Sequence, residues 1–252
     1  MKTKNFAHRG FSGRYPENTM LAFREAIAAG ADGIELDVHL SRDGEVVVIH
    51  DETVDRTCGV PGRVQDLTAA ELGALDASYL YRGQMGVNPV PTLREYFQLV
   101  RDLPILTNVE LKTNVYEYPG LEEKVWDLIR ACDLADRIII SSFNHFSVLR
   151  MRAIAPELKY GLLSESWLVE AGRYVHGLGV ACYHPLHGNL TAEHVAELKR
   201  YGIELNTFTV NDPAEVRRLA ELGVDGVIGN YPDMAGRVLA DMARESAAPA
   251  EN

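Results

Sequence analysis

The chain has 252 residues, which is enough for one large domain or two small ones. Hydrophobic residues make up 46% of it and charged residues 24%, which excludes global disorder because a sizeable apolar core can form. The formal net charge of −11 argues against general binding to nucleic acid or anionic membranes, since such binding depends on lysine and arginine. A small phosphate-bearing substrate stays compatible with this charge because its site needs only a few local cations.

Cysteine usage and the distribution of apolar runs indicate where the protein works. Cys58, Cys132 and Cys182 are scattered without a CxxC motif, which argues against a disulfide framework or a thiolate zinc site and suits a reducing compartment. The opening MKTKNFAHRG has no apolar region after its lysines, and no stretch approaches about 18 continuous apolar residues. We therefore expect a soluble cytoplasmic protein without a secretory signal and without membrane insertion.

Short β-rich runs alternate with helical patterns along almost the whole chain. The predicted strands are 4–8, 33–40, 45–50, 105–112, 137–143, 159–163, 180–184, 203–210 and 226–230. Helix signals lie between most of them. In 212–215, for example, Asp-Pro-Ala-Glu is typical of an N-cap, a proline in the first turn and a capping-box glutamate. Strands that alternate with helices predict a parallel sheet.

The second and third predicted strands are joined differently from the others. The loop 41–44 between them ends in a glycine and is typical of a hairpin. We expect the third strand to fold back antiparallel beside the second, with Val48 opposite Asp37 and His50 opposite Glu35. This hairpin leaves eight parallel strands in the main sheet.

Eight parallel strands separated by helices predict an α/β fold, a (β/α)₈ TIM barrel, for which roughly 250 residues is typical. The predicted barrel domain spans 1–245. Residues from about 51 to 90 are rich in turn residues, and they predict a short insertion over the C-terminal mouth without a core of its own. The tail 246–252 is predicted to be disordered.

The segments GADGIEL and GVDGVIG repeat one pattern of glycine, aspartate and apolar residues. Gly30 and Gly223 fit the position just after a helix, where glycine enters the left-handed region at low cost. The repeat predicts two equivalent joints from helix to strand. In these joints we interpret Asp32 and Asp225 as turn residues and not as catalytic ones.

Acidic residues alternate with apolar ones in two of the predicted strands. The two-residue period of 33–40 sends Glu35 and Asp37 to one face and the apolar residues to the other. The same spacing in 105–112 places Glu110 on the equivalent face. Because the apolar face of a barrel strand packs on the helices, all three carboxylates are expected to point inward.

Three convergent carboxylates in a partly dry site should not stay ionised without a cation. Oxygen ligands without cysteine suit a hard ion, so we expect Glu35, Asp37 and Glu110 to bind one divalent cation, Mg²⁺ or Ca²⁺. The residues also allow a purely structural network, in which Glu35 or Glu110 pairs with Arg9 or Lys112.

Two histidines are predicted beside this acidic group. His8 ends the first strand, and the hairpin brings His50 to the level of Glu35. With Arg9 and Lys112 nearby, the cations would hold the non-bridging oxygens of a phosphoester. One imidazole would accept a proton while the other donates one. A structural role for a histidine at a strand end stays open.

Further residues bear on the pocket. Asp51 either orients an imidazole or caps a turn. Phe208 is expected to point into the barrel near its mouth, either as a wall for the substrate or as a core aromatic, and His184 is a candidate for lining the pocket. The two serines at 141–142 lack the strand-turn-helix setting of a G-x-S-x-G nucleophile, which argues against a serine hydrolase. The sequence also has no glycine motif for nucleotide binding.

The segment AHRGFSGRYPENTMLAFREAIAAGADGIELDVHLSRDGEVVVIHD, residues 7–51, closely resembles the opening of glycerophosphodiester phosphodiesterases. The matching motifs are His-Arg-Gly at 8–10, Pro-Glu-Asn-Thr at 16–19, Glu-Leu-Asp at 35–37, His-Asp at 50–51, Pro-Thr-Leu at 91–93, Glu-Leu-Lys at 110–112, Ser-Ser-Phe at 141–143, Gly-Val-Asp-Gly at 223–226 and Asn-Tyr-Pro at 230–232. They span nearly the whole chain, and their combination is far more specific than any single tripeptide.

The resemblance implies a (β/α)₈ barrel hydrolase that cleaves glycerophosphodiesters to sn-glycerol 3-phosphate and an alcohol, in glycerol and lipid metabolism. By position it implies metal ligands Glu35, Asp37 and Glu110, the acid/base pair His8 and His50, and phosphate contacts from Arg9 and Lys112. Direct attack by water and a cyclic phosphate intermediate both stay open.

Two residues depart from the family's usual pattern. Phe208 stands where tryptophan is common, and Gly229 stands where threonine is common, and both positions bear on the shape of the pocket. Glu17, Asn18 and Thr19 match the family and are interpreted as architectural residues that cap the first helix and brace the mouth.

The alternative function is that of a lysophospholipase D-like hydrolase that accepts an acyl chain. It needs an apolar groove or a docking element, and 51–90 shows no sustained amphipathic stripe. A catalytically inactive binding module would have lost one of the two histidines or one of the three metal carboxylates, whereas all five residues are present. A barrel phospholipase C would release the cyclic product. The preferred headgroup, the physiological ion and the formation of a homo-oligomer stay open.

Overall fold

The computed structural model describes residues 3–247, in which strands and helices alternate. The strands are β1 (Lys4–His8), β2 (Gly33–Leu40), β3 (Val46–Val48), β4 (Leu106–Leu111), β5 (Ile138–Ser142), β6 (Lys159–Ser164), β7 (Cys182–Pro185), β8 (Glu204–Thr207) and β9 (Gly226–Gly229). The helices are α1 (Met20–Ala28), α2 (Asp55–Cys58), α3 (Ala69–Gly73), α4 (Leu93–Val100), α5 (Leu121–Cys132), α6 (His145–Ile154), α7 (Ala171–Gly177), α8 (Ala192–Arg200), α9 (Pro213–Leu222) and α10 (Pro232–Ala247).

The last helix reaches the end of the described residues. α10 includes Ser246 and Ala247, and the rest of the predicted tail, 248–252, lies outside the described residues. Among residues 3–247, no helix combines the length and the apolar character that a membrane-spanning segment requires.

Eight of the strands form a closed parallel barrel. β1 pairs with β2 on one side and with β9 on the other, and the ring continues in the order β9-β8-β7-β6-β5-β4-β2. β3 is antiparallel to β2 and lies outside this ring. The predicted (β/α)₈ TIM barrel is confirmed.

Apolar side chains occupy two layers of the barrel. The larger layer lies between strands and helices, where Leu36 and Val109 share a cluster with Phe97 of α4. A smaller cluster inside the barrel contains Phe6 and Ile139. Because side chains alternate along a strand, the acidic neighbours of Leu36 and Val109 point into the barrel.

The register of the hairpin differs by one residue from the predicted register. Val48 lies opposite Val38 and not opposite Asp37, and the predicted pairing of His50 with Glu35 is wrong for the same reason. The third strand is also shorter than predicted, since it covers 46–48 and not 45–50.

A tighter loop causes this shift. Ser41 N donates to Glu45 O at 3.0 Å, so the loop contains only residues 42–44. Gly44 closes the loop in the left-handed region with a φ of 78°, as is common in three-residue hairpin loops. His50 therefore reaches the mouth of the barrel from the segment after β3, outside the ladder.

The insertion at 51–90 shares an apolar cluster with the segment around β3. The insertion contains α2, α3 and two short 3₁₀ turns. The cluster that joins it to β3 consists of Val47, Ile49, Val54, Cys58, Val64, Leu72, Ala77 and Val90. The insertion therefore packs its apolar side chains on Val47 and Ile49 of the hairpin, while Val46 and Val48 pack on the barrel layer.

Asp32 and Asp225 tie two joints to neighbouring strands in the same way. Asp32 N donates to Asn5 O at 2.9 Å, and its carboxylate accepts from Asn5 N at 2.8 Å. Asp225 repeats this exchange with Leu205 at 2.8 and 2.7 Å. Gly223 just before this joint has a φ of 85°. Both aspartates are structural, as predicted.

Replacing Asp225 with alanine is expected to lower stability without affecting catalysis. The substitution removes the acceptor of Leu205 N, and an unpaired buried donor costs about 1–3 kcal/mol. The free energy of unfolding in urea should fall by that amount. Asp241→Ala on the exposed side of α10 is the control and should change neither the free energy of unfolding nor the catalytic rate. A lower catalytic rate at unchanged stability would contradict the structural role of Asp225.

Candidate active site

Strand register brings four predicted site residues together. His8 is the last residue of β1 and pairs with Glu35 of β2. Two residues further along β2, Asp37 pairs with Glu110 of β4. His8 ends β1 and Glu110 is the penultimate residue of β4, and Glu35 and Asp37 lie level with them on the longer β2. The four residues therefore lie toward the C-terminal mouth, which is where the active sites of TIM barrels lie.

Glu35, Asp37 and Glu110 form a compact acidic cluster. One carboxylate oxygen of each residue lies within 4.8 Å of the corresponding oxygens of the other two. The three residues are only 3%, 1% and 7% exposed. Burial and the neighbouring carboxylates raise the pKa of Glu35 well above its ordinary value, and burial also raises the pKa of Glu110. Positive charge close to this cluster is therefore strongly favoured.

Two cations contact the acidic cluster. Lys112 Nζ donates to Glu110 Oε1 at 2.8 Å and lies 3.8 Å from Asp37 Oδ1. Arg9 Nε lies 3.4 Å from Asp37 Oδ2, and the main-chain N–H of Arg9 donates to Glu35 Oε2 at 3.0 Å. Although burial opposes ionisation, Arg9 and Lys112 hold the pKa of Asp37 below its usual range. The structural ion network that the sequence left open is thus present.

The cluster nevertheless keeps an excess of negative charge, because two cations face three carboxylates. Asp37 Oδ1 is buried and has no hydrogen-bond partner among the described residues. Two oxygen ligands of one Mg²⁺ or Ca²⁺ lie at most about 4–5 Å apart, given metal–oxygen distances of roughly 2.0–2.6 Å. The donor set and its spacing therefore fit a hard divalent cation.

Both predicted catalytic histidines line one cavity. His8 Nδ1 lies 2.7 Å from the acceptor Asn230 Oδ1 and therefore carries the hydrogen. Burial lowers the pKa of His8 to about 4, so its ring is neutral near pH 7. His50 Nδ1 donates to Asp51 Oδ1 at 2.6 Å. Of the two roles open to Asp51, the structure thus shows the orientation of an imidazole.

A series of ion pairs connects the insertion to the site. Asp51 accepts a hydrogen bond from Arg56 Nε at 2.7 Å. Arg56 also donates to both oxygens of Glu17 at 2.8 Å, and Glu17 accepts from Arg9 Nη1 at 2.9 Å. These contacts join His50 to Arg9 through Asp51, Arg56 and Glu17. No sequence pattern reveals Arg56, because α2 is too short to show a periodicity.

Two further polar side chains hold the site residues in place. Asn18 Nδ2 donates to Asp37 Oδ2 at 2.8 Å, so a residue interpreted as architectural contacts a predicted metal ligand. His39 is fully buried and forms hydrogen bonds with His50 O at 3.0 Å and with Tyr118 Oη at 2.9 Å. His39 was absent from the predicted site, although it continues the alternation that points Asp37 inward.

A cavity of about 80 Å³ lies beside the acidic cluster. Its lining residues are His8, Glu35, His50, Asn108, Glu110, Phe143, Leu163, Glu165, Phe208 and Ile228. The lining thus combines polar and apolar side chains. Phe208 is one of the apolar ones and packs edge-on against Phe143, with ring centroids 5.7 Å apart.

His184 lies deeper in the barrel and outside this lining. It is completely buried, and its Nε2 accepts from Asn206 Nδ2 at 3.1 Å. Its ring fills the space beside Gly161, where a Cβ would come within 2.6 Å of Nε2. His184 was a candidate for lining the pocket, but it packs in the interior and is not among the residues that line the cavity. At Gly229, a Cβ would collide with the carbonyl of Val210, which explains the glycine.

Comparisons with known sequences agree with this geometry. A sequence model of the glycerophosphoryl diester phosphodiesterase family matches residues 8–234. A glycerophosphodiester phosphodiesterase from Caldanaerobacter subterraneus subsp. tengcongensis is 43% identical over 233 residues, which cover 92% of this chain and 96% of the relative. A glycerophosphodiester phosphodiesterase from Bacillus altitudinis is 40% identical over 243 residues, covering 95% of this chain and 99% of the relative.

Solved structures share the whole barrel. A phosphodiesterase from Oleispira antarctica, in complex with the product sn-glycerol-3-phosphate, has a TM-score of 0.87 at 28% identity, and the match covers 95% of this chain and 97% of that one. A glycerophosphodiester phosphodiesterase from Agrobacterium tumefaciens has a TM-score of 0.83 at 28% identity, covering 93% and 99%. The resemblance indicated by the sequence motifs is confirmed: the chain is an enzyme that belongs to the glycerophosphoryl diester phosphodiesterase family.

Proposed function

We propose that this chain hydrolyses glycerophosphodiesters to sn-glycerol 3-phosphate and an alcohol, with His8 and His50 as the groups that transfer protons. Glu35, Asp37 and Glu110 would hold a divalent cation beside them. The observation that carries this proposal is the placement of two histidines and of carboxylates from a buried acidic cluster around one cavity. The relatives named as glycerophosphodiester phosphodiesterases, and the Oleispira neighbour with its bound product, support the substrate class.

The acidic cluster supplies the negative charge that a cation requires. When bound, a divalent ion stabilises the negative charge that develops on the phosphate oxygens during cleavage. The main-chain N–H of Arg9 and the amide of Asn18 fix the orientations of the Glu35 and Asp37 carboxylates. The two carboxylates would therefore not need to reorient when a cation binds.

His8 and His50 are oriented for proton transfer. Asn230 and Asp51 each accept from an Nδ1 atom, so both rings direct Nε2 toward the cavity. One ring accepts a proton from the attacking hydroxyl group or water, and the other donates a proton to the leaving alcohol.

Arg9 and Lys112 supply the positive charge for the phosphate. Burial opposes their ionisation, but the neighbouring carboxylates raise the pKa of both groups, so both stay charged. Lys112 Nζ lies 3.2 Å from His50 Nε2, which places a donor beside the predicted acid/base group. Charge-assisted hydrogen bonds from such donors suit the non-bridging oxygens of a phosphodiester.

The size of the cavity favours a small polar substrate over the acyl chain of a lysophospholipid. About 80 Å³ is well below the roughly 300–1,000 Å³ of sites that enclose drug-sized ligands. Phe208 and Phe143 would contact the carbon skeleton of glycerol.

We also propose that the enzyme works in the cytoplasm, because its three cysteines are free and suit a reducing compartment. Its reaction would belong to glycerol and lipid metabolism, and its cation would be Mg²⁺ or Ca²⁺.

Removal of divalent cations is expected to abolish turnover, and Mg²⁺ or Ca²⁺ is expected to restore it. Binding of the ion should also raise the melting temperature of the chelated protein, because a ligand that binds the folded state stabilises it. Glu110→Gln should lose this thermal shift, whereas Glu165→Gln, at the cavity but outside the acidic cluster, should keep it. Full activity after exhaustive chelation would disprove the metal assignment.

Truncation of either catalytic histidine is expected to slow the reaction without unfolding the chain. General acid or base catalysis contributes roughly 10²–10⁴-fold, so kcat of His8→Ala and of His50→Ala should fall by about that factor. Exposed His176 on α7 provides the control, His176→Ala, which should retain kcat. A variant of His8 or His50 with an unchanged rate would remove that residue from the mechanism.

A substrate panel tests the reaction itself. We expect hydrolysis of glycerophosphodiesters with choline, ethanolamine, glycerol or inositol headgroups, with sn-glycerol 3-phosphate and the free alcohol as products. Both products are identified by mass spectrometry. A preference for a lysophospholipid would favour the lysophospholipase D-like alternative. Accumulation of a cyclic phosphate as the final product would instead indicate a phospholipase C-like reaction.

A further inference from the structure

His39 connects the main chain of His50 to strand β2. It lies two residues beyond Asp37 on β2, and its side chain is completely buried. It is not among the residues that line the cavity, so it does not touch a substrate there. Any effect of His39 on the reaction must therefore act through its neighbours.

The two hydrogen bonds of His39 select one state of its ring. The His50 carbonyl can only accept, so His39 Nε2 carries the hydrogen and donates at 3.0 Å. In the neutral ring Nδ1 is then the acceptor, and it receives the Tyr118 hydroxyl at 2.9 Å. Tyr118 also packs edge-on against the imidazole, with ring centroids 5.4 Å apart. Both ring nitrogens thus have the partner that this tautomer requires.

His50 needs support of this kind because it follows the end of a short strand. β3 ends at Val48, and Ile49 N donates to Asp37 O at 3.1 Å one residue before His50. The carbonyl of His50 is then held by His39, which belongs to the same strand as Asp37. The distance of His50 from the acidic cluster is therefore controlled from β2.

We propose that His39 is a positioning residue that holds the main chain of His50 so that its imidazole stays aligned with the acidic cluster. The inference rests on the proposed function, because it affects the rate only if His50 transfers a proton. Misplacement of a catalytic group by roughly 1 Å can cost about 100-fold in rate. Loss of the contact should therefore lower kcat, while KM changes little because His39 makes no contact with the substrate.

Two substitutions at position 39 separate positioning from simple packing. His39→Leu keeps apolar bulk but removes both hydrogen bonds, whereas His39→Gln retains a donor for the His50 carbonyl and an acceptor for Tyr118. We expect kcat of His39→Leu to fall by about 10–100-fold with KM within about twofold, and His39→Gln to recover most of this loss. The control His176→Leu should match the unmodified chain.

The same measurements contain the outcomes that overturn the proposal. An unchanged kcat of His39→Leu, measured well below its melting temperature, assigns His39 a purely structural role even if stability falls. A His39→Gln variant as slow as His39→Leu shows that the hydrogen bonds are not responsible. Either result disproves positioning of His50 by His39.

A double-mutant cycle distinguishes this failure from failure of the proposed function. In a His50→Ala background, His39→Leu should lower kcat by less than about twofold, because a residue that acts through His50 has no further effect once that imidazole is absent. If His39→Leu lowers kcat by the same factor with and without His50, the two residues act independently and the inference is overturned. An unchanged rate of His50→Ala alone would instead overturn the proposed role of His50.

A milder variant keeps the test valid if His39→Leu does not fold, as judged by circular dichroism. Tyr118→Phe removes only the hydroxyl group that donates to His39 Nδ1. We expect its kcat to fall by about threefold or more, with KM unchanged, as loss of one neutral hydrogen bond allows. An unchanged kcat of a folded Tyr118→Phe variant overturns the proposal.

Discussion

Repulsion among three buried carboxylates determines much of what surrounds them. Like charges in a poorly solvated interior are costly, and Arg9 and Lys112 offset this cost only in part. The amide of Asn18 donates to Asp37 Oδ2, the same oxygen that Arg9 Nε approaches. The site therefore keeps an unmet demand for positive charge, and a divalent cation bound there would meet this demand and also attract a phosphate.

The hairpin and the insertion add the groups that the barrel strands do not supply. Because β3 leaves the ring of parallel strands, His50 approaches the acidic cluster from outside the barrel. Arg56 of the insertion then links Asp51 to Glu17. Partly exposed ion pairs of this kind contribute little to stability individually. Their main consequence is that His50 keeps one orientation.

Local alternation was sufficient to predict the carboxylates, but it did not determine register or depth. Glu35 and Asp37 share a face in any regular strand, whatever their partners are. The hairpin pairing was wrong by one residue because a three-residue and a four-residue loop look alike when only the terminal Gly44 is considered. His184 ends its predicted strand, yet it is buried, bonds to Asn206 and does not line the cavity, because a place at a strand end does not determine how deeply a side chain is packed.

The sequence by itself determined the class of fold, the inward acidic residues and the family, because strand periodicity and short motifs are local properties of the chain. Only the tertiary structure decided which groups support them. His39 meets His50 across a hairpin, and Arg56 reaches Glu17 from the insertion. Such contacts depend on loop geometry and on burial. Both arise when distant segments pack together, and no local pattern encodes them.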